Sequence, residues 1–291
     1  MRPRQDQGSV AGLTKVVGVF AKRDSVEILK AAGKICSTIQ RHGLSVIPDE
    51  TLAKNSGMPD GTPLKKLHVD LLVTVGGDGT VLKATHEIAN PETPILAVNM
   101  GRRGYLTQVQ PVDFENALLR WMNGDFTLEK QWKVSVKESD HLIGEGLNEA
   151  VMVPTIVGKM LSLTVKFAAR RLIMARADGV IVATPTGSTA HAFSAGGPVL
   201  ESSLDALDLV FIAPLQPVRS LVVPANGRLH ILIGESGPAA NMVIDGRLES
   251  KLDPGKTVEF SRSLHNAVFV RFGDTFLERS LKRLTYDREP V

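Results

Sequence analysis

A glycine-rich turn placed directly after an apolar strand is the feature that most constrains this chain. Residues 69–75 have the pattern of a buried strand, and the turn that follows at once comprises Gly76, Gly77, Asp78, Gly79 and Thr80. A helical pattern then extends from about residue 80 to residue 88. Three glycines let the backbone approach a ligand closely, and the N-terminus of a helix attracts anions. The segment therefore predicts a phosphate-binding turn at the carboxyl end of a parallel strand.

Asp78 stands in the middle of this turn, where a carboxylate would repel the phosphates of a ligand. Its presence makes sense if it accepts a proton from an attacking hydroxyl, or if it holds a metal ion that bridges phosphates. The alternative is an ordinary strand-to-helix turn in which Asp78 only caps the helix. The chain has no Gly-x-x-x-x-Gly-Lys-Ser/Thr loop, and no Gly-x-Gly-x-x-Gly follows its first strand. P-loop proteins and hydride-transferring Rossmann enzymes are therefore disfavoured.

The first 125 residues alternate short apolar runs with helix-length segments. We predict strands at residues 15–20, 44–47, 69–75 and 95–98, and helices after a cap at Asp24 or Ser25, at 80–88 and at 112–123. The polar stretch from residue 48 to Pro63 predicts a loop. Such alternation favours a parallel sheet covered by helices on both faces. Residues 1–125 are thus predicted to form a Rossmann-like, three-layer α/β domain.

From about residue 128 the apolar pattern changes to a period of two. Apolar residues at 128, 132, 134 and 136 alternate with polar ones, and the same rule recurs at 161–167 and 229–233. This pattern predicts antiparallel strands with one buried and one solvated face, and hence an all-β domain at residues 126–267. Residues 268–291, with a basic helical pattern at 276–284, are predicted to return to the first domain.

Composition excludes several classes of protein. The 34 basic and 31 acidic residues leave a net charge of +3, too small an excess to favour nucleic-acid binding. No apolar stretch is long and uninterrupted enough to span a membrane, and the N-terminus lacks a signal-peptide core. The lone Cys36 suits a reducing compartment, so we expect a cytoplasmic protein. The seven histidines show no metal-ligand spacing, and we predict no metal site made by the protein alone.

Two further segments carry candidate functional residues. Asn148 and Glu149 precede an apolar run, where a half-buried carboxylate usually has a task, although an exposed pair at a sheet edge is the alternative. Asp178 begins a short apolar strand that runs into a polar loop at residues 184–190. That loop and the small residues at 194–198 suit close contact with a flat ligand, although an ordinary loop would have the same composition. Ser188 lacks the Gly-x-Ser-x-Gly context of a serine hydrolase.

Taken in series, these segments resemble the NAD kinase family. Its glycine-rich motif matches residues 76–80, its Asn-Glu motif matches 148–149, and its long nucleotide motif matches 178–198. Residues 99–107 are similar to its Asn-x-Gly-x-x-Gly-Phe-Leu-Thr segment, and residues 219–224 and 244–246 are like its later landmarks, in an arrangement similar to archaeal members. Diacylglycerol and sphingosine kinases share the glycine-rich turn. In those lipid kinases an Asn-Glu pair follows closely, whereas this chain has Val-Leu-Lys-Ala at 81–84.

The resemblance implies transfer of the γ-phosphoryl group of ATP to the adenosine ribose 2′-hydroxyl of NAD, with Mg²⁺ or another divalent metal on the ATP. It also implies a homodimer or homotetramer in which a neighbouring subunit contributes to the NAD site between the domains. Asp78 would be the catalytic aspartate. The implied NAD-binding residues are Gly79, Tyr105, Asn148, Glu149, Asp178, Thr186, Thr189, Ala190, His191, Ser194 and Asp245. The implied phosphate- and ATP-binding residues are Gly76, Gly77, Thr80, Arg102 and Arg103.

The chain departs from the family pattern at two places. His191 stands where the family usually has tyrosine, and we expect it to keep the pocket function and add pH sensitivity to NAD binding. Arg103 stands where an apolar residue is common. With Arg102 it would either clamp a pyrophosphate or form a solvated pair.

Three readings compete with an NAD kinase. The first is a lipid or sugar kinase that shares the glycine-rich turn. The second is a dinucleotide-binding regulator without catalysis, which the carboxylate of Asp78 argues against, since a sensor gains nothing from a negative charge among phosphates. The third is a structural α/β protein that binds no nucleotide.

Overall fold

The computed structural model describes residues 15–21, 25–56, 58, 60–101, 104–273 and 278. Strands and helices alternate in the first part of the chain, as the apolar pattern predicts. These elements are β1 (Val16–Ala21), α1 (Val26–Arg41), β2 (Ser45–Pro48), α2 (Glu50–Ser56), β3 (Leu71–Gly76), α3 (Asp78–Glu87), β4 (Pro94–Asn99) and α4 (Phe114–Met122). Short 3₁₀ turns lie at Leu64–Lys66 and Pro111–Asp113. No helix in these described ranges is long and apolar enough to cross a bilayer.

The first four strands form a parallel sheet in the order β2-β1-β3-β4. Successive residues of β3 point to opposite faces, so Leu71 and Val73 pack in a cluster with α1 and α4 whereas Leu72 packs in a cluster with α3. Both faces are therefore covered by helices, which explains why the strands are apolar on both sides. The predicted three-layer α/β arrangement is confirmed.

The predicted loop from residue 48 to Pro63 contains a helix, so that prediction is wrong. The carboxylate of Asp49 accepts hydrogen bonds from the backbone N–H groups of Thr51 (3.1 Å) and Leu52 (3.0 Å). These bonds satisfy N–H groups that have no partner within α2. Leu52 is 1% exposed and packs into the core. The polar composition of α2 conceals the short buried face that stabilises it.

The second part of the chain is made almost entirely of strands. They are β5 (Thr127–Glu138), β6 (His141–Gly146), β7 (Glu149–Pro154), β8 (Leu161–Phe167), β9 (Arg170–Ala177), β10 (Gly179–Ala183), β11 (Ala206–Ile212), β12 (Leu221–Pro224), β13 (Leu229–Ile233), β14 (Ala240–Ile244), β15 (Arg247–Leu252) and β16 (Thr257–Arg271). A 3₁₀ turn at Gly187–Thr189 and α5 (His191–Ser194) interrupt them. Six of the strands form an antiparallel sheet in the order β12-β11-β10-β7-β14-β15.

Strand β16 joins the two parts of the chain. It pairs antiparallel with β13 and β5, and at Val268 and Phe269 it pairs parallel with β4. The chain therefore returns to the first domain within this strand, as predicted. The helical pattern at 276–284 lies outside the described residues. The domain boundaries at 125/126 and 267/268 stay a prediction, and β16 crosses the second of them without a break.

The predicted alternation of buried and exposed side chains is right for β8 and β13 and wrong for β5. In β8 the apolar residues at 161, 163 and 165 are buried, and in β13 those at 229, 231 and 233 are buried, while the residues between them are more exposed. In β5, Gln131, Lys133 and Ser135 are also buried, while Leu128 is 50% exposed. The polar face of β5 packs against other protein groups: the Lys133 ammonium donates to the Thr85 carbonyl oxygen of α3 at 2.6 Å. An alternating pattern identifies the strand but not what covers its polar face.

Asp208 of β11 is an unusual buried residue, because it carries an ionisable side chain. Its side chain is fully buried, and neither carboxylate oxygen has a hydrogen-bond partner among the described residues. The backbone of Gly197 packs closely against the Asp208 carboxylate, since a Cβ built at Gly197 would lie 2.7 Å from Oδ2 of Asp208. Burial raises the pKa of Asp208 to about 7, because the ionised form would lose its hydration without gaining a partner.

We expect Asp208→Asn to stabilise the protein above pH 7 but not at pH 4. An aspartate in an unfolded chain ionises near pH 4, so the folded chain holds a proton that the unfolded chain releases between about pH 4 and 7. Stability therefore falls as the pH rises through this window. The substitution should raise the free energy of unfolding at pH 8 by roughly 1–3 kcal/mol, measured by urea denaturation.

Asp205→Asn is the matched control, because this aspartate is partly exposed and pairs with Arg262 at 2.8 Å. It should not reproduce the gain at pH 8. A pH-dependence of stability that is the same in Asp208→Asn and the wild type would contradict the assignment.

Candidate active site

The glycine-rich turn joins β3 to α3 with one tight and two open positions. A Cβ at Gly76 would lie 2.2 Å from Oγ1 of Thr80, so only glycine fits there. No described atom lies within 4 Å of a Cβ built at Gly77 or Gly79, and the turn is open on that side. Gly77 is the N-cap of α3 and no side chain caps the helix. Asp78 is therefore not the simple helix cap of the alternative interpretation.

The carboxylate of Asp78 binds the backbone of a neighbouring loop. It accepts hydrogen bonds from the N–H groups of Tyr105 (2.5 Å), Leu106 (3.1 Å) and Thr107 (3.3 Å). Gly104 permits this approach, since a Cβ there would lie 2.7 Å from Oδ1 of Asp78. The half-buried carboxylate is thus held in one position at the edge of the open turn.

A second turn, at residues 147–149, is organised by Asp245. The carboxylate of Asp245 accepts hydrogen bonds from the N–H groups of Leu147 (2.7 Å), Asn148 (2.9 Å) and Glu149 (3.0 Å). The side chain of Asp245 is fully buried, and its backbone has a φ of +45°, which is uncommon for a residue with a side chain. Its oxygens face the protein backbone, so in this structure Asp245 supports the Asn-Glu turn from behind.

The Asn-Glu turn lies beside the helix that carries Asp78. The side chain of Leu147 is fully buried in one cluster with Val81 and Ala84 of α3 and with Leu106. Two candidate segments that are about 70 residues apart in sequence thereby pack into one small apolar cluster. This packing forms a single site from the glycine-rich turn and the Asn-Glu turn.

Glu149 is buried in a way that keeps its carboxyl group neutral. It is 7% exposed, and its Oε2 atom has no hydrogen-bond partner within the part of the chain described. Burial, and secondly the negative charge of Asp245, raise the pKa of Glu149 to about 8. A hydrogen bond from the His191 N–H opposes this shift but does not outweigh it. At neutral pH the group is therefore a hydrogen-bond donor as well as an acceptor.

The polar loop after β10 packs directly on the Asn-Glu turn. The N–H of Thr184 donates to the Asn148 carbonyl oxygen at 2.8 Å, and its hydroxyl donates to the Leu147 carbonyl oxygen at 2.6 Å. A Cβ at Gly187 would lie 1.9 Å from the same Asn148 oxygen. Glycine is needed at 187 because two backbone segments touch there.

The predicted site residues of this loop divide into buried and exposed groups. Thr186 and Thr189 are buried, and their hydroxyls donate within the protein, to Gln131 at 2.8 Å and to the Thr186 carbonyl oxygen at 3.3 Å. His191 and Ser194 are exposed on α5, and Ala190 immediately precedes that helix. The exposed side chains are the ones available to a ligand.

The structure does not bring every predicted residue to this cluster. Asp178 is exposed at the start of β10, whereas the polar loop follows the other end of that strand. Tyr105 is half-buried, and its backbone N–H donates to Asp78. Arg102 and Arg103 lie outside the described residues.

Comparison with known proteins decides the family. The ATP-NAD kinase N-terminal domain matches residues 17–126, and the ATP-NAD kinase C-terminal domain matches residues 147–272. The NAD kinase of Methanopyrus kandleri is 36% identical over 271 residues, which are 91% of this chain and 95% of that protein. The NAD kinase of Thermococcus kodakarensis is 35% identical over 263 residues, 88% of this chain and 93% of that one.

This chain belongs to the NAD kinase family. The resemblance drawn from its motifs, including the similarity to archaeal members, is confirmed. An NAD kinase from Archaeoglobus fulgidus in complex with ATP is 28% identical, with a TM-score of 0.75 over 93% of this chain and 97% of that one. Yeast NADH kinase complexed with NADH has a TM-score of 0.86 over 97% of this chain and 90% of that one. At 21% identity, the yeast protein shows the fold alone.

Sequence reasoning missed two side chains that contact the candidate site segments. His86 of α3 contacts Asp245 at 2.9 Å across 159 residues of sequence, and Lys133 of β5 reaches the carbonyl oxygen of Thr85. No local sequence pattern predicts either contact, because each depends on a partner that is far away in the sequence. The only available hint for His86 is its place on the helix that begins at Asp78.

We expect Gly187→Ala to destabilise this NAD kinase strongly. The added methyl group would overlap backbone atoms of Asn148, which cannot move aside without displacing the Asn-Glu turn. The free energy of unfolding should fall by about 3 kcal/mol, the upper end of the usual cost of overpacking.

Gly33→Ala is the control, because its Cβ would meet only Met58 at 3.8 Å. Within a helix this exchange should stabilise by up to about 1 kcal/mol. Equal melting temperatures for the two variants would contradict the packing at residue 187.

Proposed function

We propose that this chain is an ATP-dependent NAD kinase, which transfers the γ-phosphoryl group of ATP to the adenosine ribose 2′-hydroxyl of NAD and so produces NADP. Family membership over most of the chain supports the activity. The observation that carries the assignment of residues is the packing of the Asn-Glu turn against the helix that begins at Asp78. This packing supports a nucleoside contact close to a phosphate-binding turn.

Asp78 is proposed to accept or orient the proton of the ribose hydroxyl. A carboxylate has about four lone-pair sites, and three are engaged by the loop amides. The remaining site can take one hydroxyl, in a position fixed by the other three bonds. Phosphoryl transfer passes through a loose transition state, so positioning of the acceptor contributes more than activation of the nucleophile. The open backbone at Gly77 and Gly79 would lie against the phosphates of ATP.

Asn148 and Glu149 are proposed to bind the nucleoside, together with Ala190, His191 and Ser194 beside them. The neutral carboxyl of Glu149 can donate a hydrogen bond to a ring nitrogen or a sugar oxygen. A charged carboxylate could only accept. In this arrangement Asp245 acts through the backbone N–H groups that it holds, and the hydroxyls of Thr186 and Thr189 bond within the protein.

A divalent metal, Mg²⁺ by preference, is proposed to accompany ATP. The hydroxyls of Thr80 and Thr107, close to the turn, are buried without a hydrogen-bond partner among the described residues. Mg²⁺ prefers hard oxygen ligands and usually keeps several waters beside the substrate phosphates, so these two hydroxyls fit a metal carried by ATP, while the last free site of Asp78 stays with the ribose hydroxyl. When bound, the metal would neutralise charge on the phosphates.

A homodimer or homotetramer is proposed because of the position of Asp178. The five residues of β10 separate it from the polar loop, which is about 17 Å at 3.3 Å per residue. Asp178 would therefore line the NAD pocket of a neighbouring subunit rather than its own. The enzyme is proposed to be cytoplasmic, in line with its single buried cysteine.

An activity matrix tests the function. The purified protein is given ATP or inorganic polyphosphate with Mg²⁺, and NAD, NADH or diacylglycerol as acceptor. We expect NADP from ATP and NAD, and no phosphorylated lipid. Asp78→Asn should lower kcat by on the order of 10²–10⁴ with NAD affinity changed only a few-fold. Phosphorylation of the lipid without formation of NADP would refute the NAD kinase activity. An Asp78→Asn variant that keeps most of its turnover and has an unchanged Tm would refute the role of Asp78.

The pH dependence of NAD binding tests the role of Glu149. Because its pKa is about 8, nine-tenths of the carboxyl groups are neutral near pH 7 and only about one-tenth near pH 9. If the neutral form binds the nucleoside, KM for NAD should rise roughly tenfold between pH 7 and 9. Glu149→Gln, which stays neutral, should abolish this rise. His191→Tyr is expected to flatten the profile below pH 7 and leave the alkaline part intact. Identical profiles for all three proteins would contradict both roles.

A further inference from the structure

We infer that His86 is a positioning residue, which through the carboxylate of Asp245 locks the Asn-Glu turn to the helix that begins at Asp78. This inference rests on the proposed function for its effect on catalysis. The contact itself stands on geometry, and nothing in the family resemblance assigns a role to this histidine.

The contact is short and shielded from water. Nε2 of His86 lies 2.9 Å from Oδ2 of Asp245, and the two side chains are 12% and 0% exposed. His86 belongs to the last turn of α3, whereas Asp245 lies between β14 and β15. Without the imidazole, the same oxygen would keep only the N–H of Leu147. A buried carboxylate that loses a donor destabilises its surroundings by more than the bond contributed.

Asp245 transmits the position of His86 to the site. Its four hydrogen bonds join one side chain on α3 to three consecutive N–H groups of the Asn-Glu turn. Because α3 starts at Asp78, one helix carries the proposed catalytic carboxylate at its first residue and the anchor of the second turn two helical turns later. The distance between the two turns is thus set by a rigid element rather than by a loop.

A buried cation reinforces this arrangement. Lys133 is 3% exposed, its ammonium donates to the carbonyl oxygen of Thr85, and its charge interacts with Glu145 and Asp245. Burial nevertheless lowers the pKa of Lys133. The last turn of α3 is therefore held from two sides, by Lys133 at the backbone of Thr85 and by Asp245 at the imidazole of His86.

The test compares His86→Ala with His86→Gln. The terminal nitrogen of glutamine can occupy the place of Nε2 and donate the same hydrogen bond, whereas alanine leaves the oxygen unpaired. We expect His86→Ala to lower kcat/KM for NAD by about tenfold or more, since small displacements of a reacting group are costly. KM for ATP should stay within about twofold, because the open side of the glycine turn is untouched. His86→Gln should lie within about threefold of the wild type.

Hydrogen exchange separates this inference from the proposed function. In His86→Ala the amides of residues 147–149 should exchange faster than in the wild type, and in His86→Gln they should not. This readout does not need activity, so a wild type that makes no NADP would refute the function and leave the contact testable. His230→Ala is the matched control, since His230 also pairs with a carboxylate, Glu259 at 3.2 Å, but on the distant strand β13. It should change neither exchange at 147–149 nor kcat/KM.

A double variant tests whether His86 acts through the Asn-Glu turn. If it does, His86→Ala and Asn148→Ala together should reduce kcat/KM by less than the product of their separate effects. Unchanged exchange at 147–149 in His86→Ala would overturn the lock. Faster exchange in His86→Ala with an unchanged kcat/KM would overturn the role of His86 in positioning the site. The same conclusion would follow if the double variant reduced kcat/KM by the full product of the two single reductions.

Discussion

The site depends on a carboxylate that has been taken out of water and given four hydrogen bonds. A buried carboxylate is tolerated only where its oxygens are paired, and Asp245 is paired with three consecutive backbone N–H groups and one imidazole. Those partners belong to the Asn-Glu turn and to α3, two segments that are far apart in the sequence. The requirement to satisfy one charge therefore fixes the separation of the Asn-Glu turn and α3, and with it the space between the proposed nucleoside and phosphate contacts.

The same device is used at the other end of α3. Asp78 accepts three N–H bonds from residues 105–107, just as Asp245 does from residues 147–149. In each case a carboxylate on one structural element accepts hydrogen bonds from three backbone N–H groups of a loop that belongs to another element. Loops held in this way can present their remaining groups to a ligand without the entropy cost of ordering them on binding. Leu147 and Leu106, each buried beside α3, supply the apolar contact that makes both loops pack against the same helix.

The sequence was sufficient for the fold class and for the segments of the site, but not for how they are connected. The strand–turn–helix at 69–88 could be predicted because all of its signals are local: an apolar run, three glycines and a helical period. Helix α2 was missed because its buried face is short and its composition polar. The buried polar face of β5 and the contact of His86 with Asp245 were missed for a deeper reason. Each is decided by a partner more than 40 residues away, which no local pattern encodes.

Two neighbouring carboxyl groups with opposite environments explain how the site can both hold its shape and bind a polar ligand. Four donors surround the carboxylate of Asp245, and its negative charge is one reason why Glu149, which lacks equivalent donors, holds its proton. A protonated Glu149 can hydrogen-bond in both directions and does not repel an anionic dinucleotide. If the two environments were exchanged, a charged Glu149 would face the ligand and a neutral Asp245 could not accept all the hydrogen bonds of the turn. The difference in burial and partners, rather than in residue type, therefore assigns a structural task to one acid and a binding task to the other.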